Sequence, residues 1–169
     1  KWYKQDGIEN EQITPLIMEN MDIQRILKNS CRKFDGGYVM AGMVGHGDAF
    51  IFRDPNGIRP CFFYADDEII AAASERPALQ TTLNISAKFV QELEPGHALI
   101  IKKSGGHEVV PFIEQREKKS CSFERIYFSR GSDKDIYVER KNLGKNRVER
   151  ILKAVDYKFE DTVFTYVPN

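Results

Sequence analysis

Turn-forming strings punctuate the chain between residues 38 and 113, and their spacing limits the fold more than any other feature. Gly45-His46-Gly47-Asp48, Asp54-Pro55-Asn56-Gly57, Asp66-Asp67, Pro95-Gly96 and Ser104-Gly105-Gly106 each interrupt short apolar runs. In the second of these, proline presets φ and Asn-Gly accepts positive φ. The runs between turns are too short for core helices and suit strands. Strands joined by tight turns run antiparallel. The reading expects strands at Tyr38–Val44, Ala49–Arg53, Cys61–Ala65, Glu68–Ala73, Phe89–Leu93, His97–Lys103 and Val109–Ile113. A short helix is expected at Ala78–Leu83, and Ser122–Tyr127 is a further strand candidate.

Helical periods flank this strand-rich stretch. Ile23, Ile26, Leu27, Ser30, Cys31 and Phe34 follow the i, i+3, i+4 spacing of one buried face, with Asp22 placed as its N-cap. An earlier helical segment carries Ile13, Leu16 and Ile17, and there Thr14-Pro15 suits a helix start. After Gly131-Ser132-Asp133, the residues Ile136, Leu143, Val148, Ile151, Leu152 and Val155 form one apolar face through about Asp156. Thr162–Val167 then alternates as a strand would. The fold class is α+β: mostly antiparallel strands with flanking helices.

Composition removes several function classes. The chain has 169 residues, with 25 basic against 25 acidic, so no excess field draws it to nucleic acid or to a membrane surface. No apolar run approaches the roughly 18 residues of a membrane span. The segment Lys1–Asn20 lacks the pattern of a signal peptide. Cys31, Cys61 and Cys121 are odd in number and widely spaced, with no C-x-x-C, which fits a reducing compartment and a cytoplasmic location.

The residue patterns carry no complete reaction centre. His46, His97 and His107 sit beside turns and strand ends without ligand spacing, and read as surface or half-buried side chains. No phosphate-binding glycine loop occurs, and Gly45-His46-Gly47 reads as a hairpin turn. Asp66-Asp67 follows an apolar run, but Glu68-Ile69-Ile70-Ala71 comes next instead of a glycine- and threonine-containing loop, so it too reads as a turn. Cys31 lies on an apolar helix face and Cys61 at a strand start, both positions of packed thiols.

Three strings are far more specific. They are Arg53-Asp54-Pro55-Asn56-Gly57-Ile58-Arg59-Pro60 with Ala73-Ser74-Glu75-Arg76-Pro77-Ala78-Leu79; Glu94-Pro95-Gly96-His97-Ala98-Leu99-Ile100-Ile101; and Cys121-Ser122-Phe123-Glu124-Arg125-Ile126-Tyr127-Phe128-Ser129-Arg130 with Tyr137, Arg140, Asn142, Leu143 and Gly144 behind it. In this order the sequence resembles the amidophosphoribosyltransferases, glutamine-dependent enzymes that open purine synthesis. The first string is shared with other class II glutamine amidotransferases, whereas the third is particular to this family. The match runs from about Gly36 to Gly144 and more loosely to Asn169.

The resemblance implies an internal fragment of a longer enzyme. Residues 1–130 would be the later part of a class II glutaminase domain, a partial N-terminal-nucleophile hydrolase αββα sandwich. Residues 131–169 would be the first helix and strand of an α/β phosphoribosyltransferase domain. The family's amino-terminal cysteine nucleophile has no counterpart at Lys1, and its diphosphate-binding loop would follow Asn169. No catalytic residue can therefore be carried over, and the fragment is expected to be inactive alone.

Two positions carry over singly. Tyr137 matches a tyrosine bordering the family's apolar ammonia passage; its other reading is a packed residue of the entry helix. Cys121 matches the first [4Fe–4S] ligand of the iron–sulfur members, with its partner thiols outside this chain. No cofactor is expected in the fragment itself; the parent would take magnesium, glutamine and phosphoribosyl diphosphate, and in some members the cluster.

The strings also predict architecture. Arg53 and Asp54 flank a tight turn and are expected to pair. Arg59 and Glu75 are expected to form an ion pair that fixes how two hairpins meet. Gly57, Ser74 and Gly96 complete the motif positions. A sheet face uncovered by truncation would favour a homo-oligomer or strand exchange, alongside packing against the missing amino- and carboxy-terminal parts. Competing functions are a degenerate sandwich serving as a regulatory or assembly module, and the glutaminase domain of another class II amidotransferase.

Overall fold

The computed structural model describes residues 7–166. Helices α1 (Asn10–Asn20) and α2 (Ile23–Ser30) open it. Strands follow in two antiparallel hairpins, β1 (Val39–Met43) with β2 (Ala49–Arg53) and β3 (Phe62–Ala65) with β4 (Ile70–Ala73). Helix α3 (Arg76–Leu83) leads to the short β5 (Gln91–Glu92), then to β6 (His97–Ile101) and β7 (His107–Pro111). Beyond these lie a π-helical turn (Glu124–Phe128), α4 (Lys134–Lys145) and α5 (Val148–Ala154).

The strands form two sheets, ordered β1-β2-β6-β7 and β4-β3-β5. Side chains alternate across a strand, and the four-stranded sheet uses both faces. Phe52, Ala98 and Ile100 point one way and pack with Ile23 and Leu27 of α2, with Cys31 just after it, and with Phe112. Leu99, with Ile51 and Ile101, points the other way and meets Cys61, Phe63 and Leu93 of the smaller sheet. One helix and two sheets thus stack in layers. Helix α3 lies along β3 and β4, where the Arg76 guanidinium sits 5.5 Å from the Phe62 ring centroid. Neighbouring strand residues point to opposite faces, so Arg76 lies on the side away from Phe63.

Local chemistry explains most boundaries. Asp22 caps α2 by accepting the Arg25 N–H at 2.8 Å. Gly57 (φ 59°) and Gly96 (φ 73°) occupy the left-handed region that their turns demand. A Cβ on Gly96 would stand 2.7 Å from the Ile113 carbonyl oxygen.

Several sequence expectations are corrected. Helix α1 begins at Asn10, so Pro15 lies inside it and gives up one i→i−4 bond. The α2 face narrows to Ile23, Leu27 and Cys31; Ile26 and Phe34 are exposed because the sheet is met by a single helical stripe. Ser122–Tyr127 is no strand: residues 124–128 form the π-helical turn, and Phe123, Ile126 and Tyr127 stay exposed and join neither described sheet. The expected long C-terminal helix is two helices, parted around Asn146-Arg147. Residues 162–166 are irregular, with Val163 and Tyr166 exposed and unpaired with any described strand; Val167 lies outside the described residues. His46 is buried rather than superficial, since the β1–β2 turn folds back onto Lys102-Lys103.

Candidate functional site

A cleft of about 250 Å³ opens where the strand layers meet the C-terminal segment. Its floor is the loop after β2. There Arg53 (1% exposed) and Asp54 (0%) are both buried, yet they do not pair with each other as expected. The Asp54 carboxylate accepts four backbone N–H groups: Asn56 and Ile58 at 3.0 Å, Arg59 at 3.2 Å and Tyr38 at 3.3 Å. Adjacent strand residues point apart, so Arg53 reaches a different set of partners. Its guanidinium donates to the carbonyls of Arg59 (2.7 Å), Leu93 (2.5 Å) and Gly57 (3.1 Å) and to Glu92 Oε1 (2.9 Å). Both charges are spent on fixing backbone, which makes Arg53-Asp54 a structural knot under the cleft.

Charge matching continues up the walls. Glu92 also accepts from Lys118 at 2.6 Å. Burial alone pushes its carboxyl up, but hydrogen bonds from Lys118 and Arg53 outweigh burial and hold it below the usual range. Arg59 does not reach Glu75; it pairs with Glu124, while Glu75 accepts from Arg130 Nε at 2.5 Å. Both acids are taken by residues of opposite elements because the C-terminal segment folds back over the β3–β4 hairpin. Arg76 meets Asp133 through Nε–Oδ2 and Nη2–Oδ1, both 2.9 Å, and Asp135 at 2.6 Å. The Asp133 hydrogen bond is the main cause of the raised Arg76 pKa. For Asp133 itself, burial pushes upward, and Arg76 with the Ile136 and Asp135 N–H groups holds the carboxyl low.

The remaining predicted positions scatter. Ser74 is an exposed lip of the cleft, and Gly57 lies on its floor. Gly96 serves the β5–β6 turn, where its N–H donates to the Asp54 carbonyl at 3.1 Å. Tyr137 is 54% exposed on α4, with Lys141 Nζ 5.3 Å from its ring centroid, so it is not the packed face of that helix; Ile136 is. Cys121 is half-buried in the cleft wall. Cys31 and Cys61 lie in the two separate cores, where burial raises both thiols, Cys61 to about 11. Among the described residues no three ligating side chains converge on a metal position. Sequence reading missed Glu92, Lys118 and Asp133 as partners. Only Asp133 carried a signal, as a helix-cap residue after Gly131-Ser132.

No described hydrogen bond links Cys121 or a cleft serine to a base, so the geometry offers a neutral, ion-paired joint. What such a joint belongs to is given by comparison. No family model matches the chain. The amidophosphoribosyltransferase of Bacillus subtilis is 31% identical over 147 residues, covering 85% of this chain and 29% of that protein. That of Escherichia coli is 31% identical over 156 residues, covering 86% and 30%. The solved glutamine phosphoribosylpyrophosphate amidotransferase of B. subtilis, complexed with ADP and GMP, superposes with a TM-score of 0.63 at 28% identity, over 81% of this chain and 30% of that one. The resemblance to amidophosphoribosyltransferase holds. The chain spans about 30% of the length of these relatives. A second solved structure, described as the allosteric regulatory enzyme of purine biosynthesis, superposes with a TM-score of 0.56 at 27% identity, over 70% of this chain and 25% of that one. No described helix is long and apolar enough to cross a membrane.

Proposed function

We propose that this chain is the connecting segment of an amidophosphoribosyltransferase. The single observation that carries this reading is the continuous similarity, in sequence and in fold, over more than four-fifths of the chain. Residues 1–130, which include the strand layers, are then the later part of an N-terminal-nucleophile glutaminase sandwich. Residues 131–169 begin the phosphoribosyltransferase half. The whole enzyme would release ammonia from glutamine and pass it to phosphoribosyl diphosphate, giving phosphoribosylamine and pyrophosphate in the first committed step of purine synthesis. Magnesium would neutralise the diphosphate, at residues outside this chain.

Within that reading the segment supplies rigidity and a joint. The Arg53-Asp54 knot fixes the loop beneath the cleft. The exposed Tyr137 ring is free to border an apolar passage, which keeps ammonia unprotonated by excluding water. Cys121 would ligate a cluster only with thiols from elsewhere in the parent. Exposed Phe123, Ile126 and Tyr127 favour self-association of the segment when it stands alone.

The experiment is direct. The purified 169-residue chain is expected to release no ammonia from glutamine. A protein expressed from the longer coding sequence is expected to form pyrophosphate from phosphoribosyl diphosphate only when glutamine or ammonia is supplied. Ammonia release by the chain alone, or no transfer by the longer protein, would end the reading.

A further inference from the structure

The joint over the cleft is ionic, and its most buried member sits on a helix start. Asp133 is the N-cap of α4; its Oδ1 accepts the Asp135 N–H at 2.9 Å and the Ile136 N–H at 3.4 Å. The same carboxylate receives the Arg76 fork through both oxygens, from a residue 57 positions earlier in the first turn of α3. One acid therefore caps its own helix and holds the strand layers at once. Parallel N–H···O bonds of this kind fix orientation as well as distance. Arg76 is steadied from the other side by the Phe62 ring.

Little else anchors the segment. Ile136 is the one buried residue of α4, and α5 has none. A helix this short is marginal in water without packing. In the neighbouring pairs the cations are open to solvent: Arg130 is 66% and Arg59 51% exposed along the side chain, with Glu75 at 26% and Glu124 at 12%, against 24% for Arg76 and 8% for Asp133. Exposed pairs contribute little and are screened by salt.

We propose that Arg76 and Asp133 form a clasp coupling two events: docking of residues 121–145 on the strand layers, and completion of the first turn of α4. When the clasp opens, the segment leaves as a unit with a frayed helix start. While it is closed, the strand layers and the C-terminal helices report on each other through one carboxylate. The clasp is independent of the chemistry assigned to the parent enzyme.

Hydrogen exchange on the full chain tests it. Arg76→Met is expected to speed exchange of amides 134–145 at least about tenfold, with Phe52 and Ile100 in β2 and β6 unchanged. Asp133→Asn keeps a capping oxygen and loses the charge, so it is expected to loosen the same amides but spare the first turn relative to Asp133→Ala. Arg76→Lys, a point charge without the fork, is expected to restore less than half of the lost protection. Unchanged exchange at 134–145 in Arg76→Met would overturn the clasp. So would equal loosening of β2 and β6, because the segment would then not be a separate unit. If Arg76→Met does not fold, Arg76→Lys gives the same test: selective loosening of 134–145 is expected, and unchanged protection there overturns the proposal.

Discussion

The strand layers and the C-terminal segment are held by opposite means. In the layers, two apolar cores lie on either side of one sheet, and the most deeply buried charges among the described residues, Arg53 and Asp54, are saturated by backbone and Glu92. In the segment after Cys121, apolar side chains such as Phe123 and Tyr127 face solvent, and ion pairs to Arg59, Glu75 and Arg76 do the holding. The contrast teaches that burial sets the cost of a change more than charge does. A charged group removed from the layers orphans buried partners, whereas one removed from the segment, the buried Asp133 apart, mostly exchanges protein for water.

The sharpest way to break that contrast is Asp54→Ala. It strands four N–H groups in a dry site and is expected to cost about 3–5 kcal/mol in urea unfolding. A cost below about 1 kcal/mol would mean the knot is solvated after all. Leu99→Ala, in the centre of the inter-sheet core, is expected to cost about 2–5 kcal/mol. Its effect should appear equally in every probe of the layers.

Acid sharpens the comparison next. The Asp48 carboxyl is held down to about 2, chiefly by the Lys103 N–H and further by His46 and Lys102, against the opposing effect of burial. The unfolded carboxyl takes its proton first as pH falls, so the stability this group contributes is complete above about 4 and is lost toward about 2. Asp48→Asn is expected to flatten that part of the acid-unfolding profile. An unchanged slope between those limits would remove the assignment. The smallest effect belongs to the segment: Lys153→Gln, which deletes an exposed i,i+4 pair with Glu149, is expected to change stability by no more than about 0.5 kcal/mol.

Legibility in the sequence followed the same divide. The hairpins could be read because Asn56-Gly57, Pro95-Gly96 and Gly105-Gly106 impose their backbone geometry locally. Leu27 and Cys31 were readable from period alone. The charge partners were not, because Arg59, Glu75 and Arg76 find theirs 55 to 65 positions away, and such pairings exist only once the layers are stacked. Ser122–Tyr127 misled for a related reason. Its aromatic and branched residues suit a strand, but residues 124–128 form a π-helical turn and join neither described sheet. Pro15 misled as well: it sits inside α1, which forgoes one i→i−4 bond there.

The placement of the three thiols gives the chain a natural handle. Cys31 and Cys61 are walled into the cores and held in their unreactive, protonated form, while Cys121 stands half-open beside the joint. A maleimide fluorophore should therefore label one position without engineering, at the place where movement between the two parts would be seen.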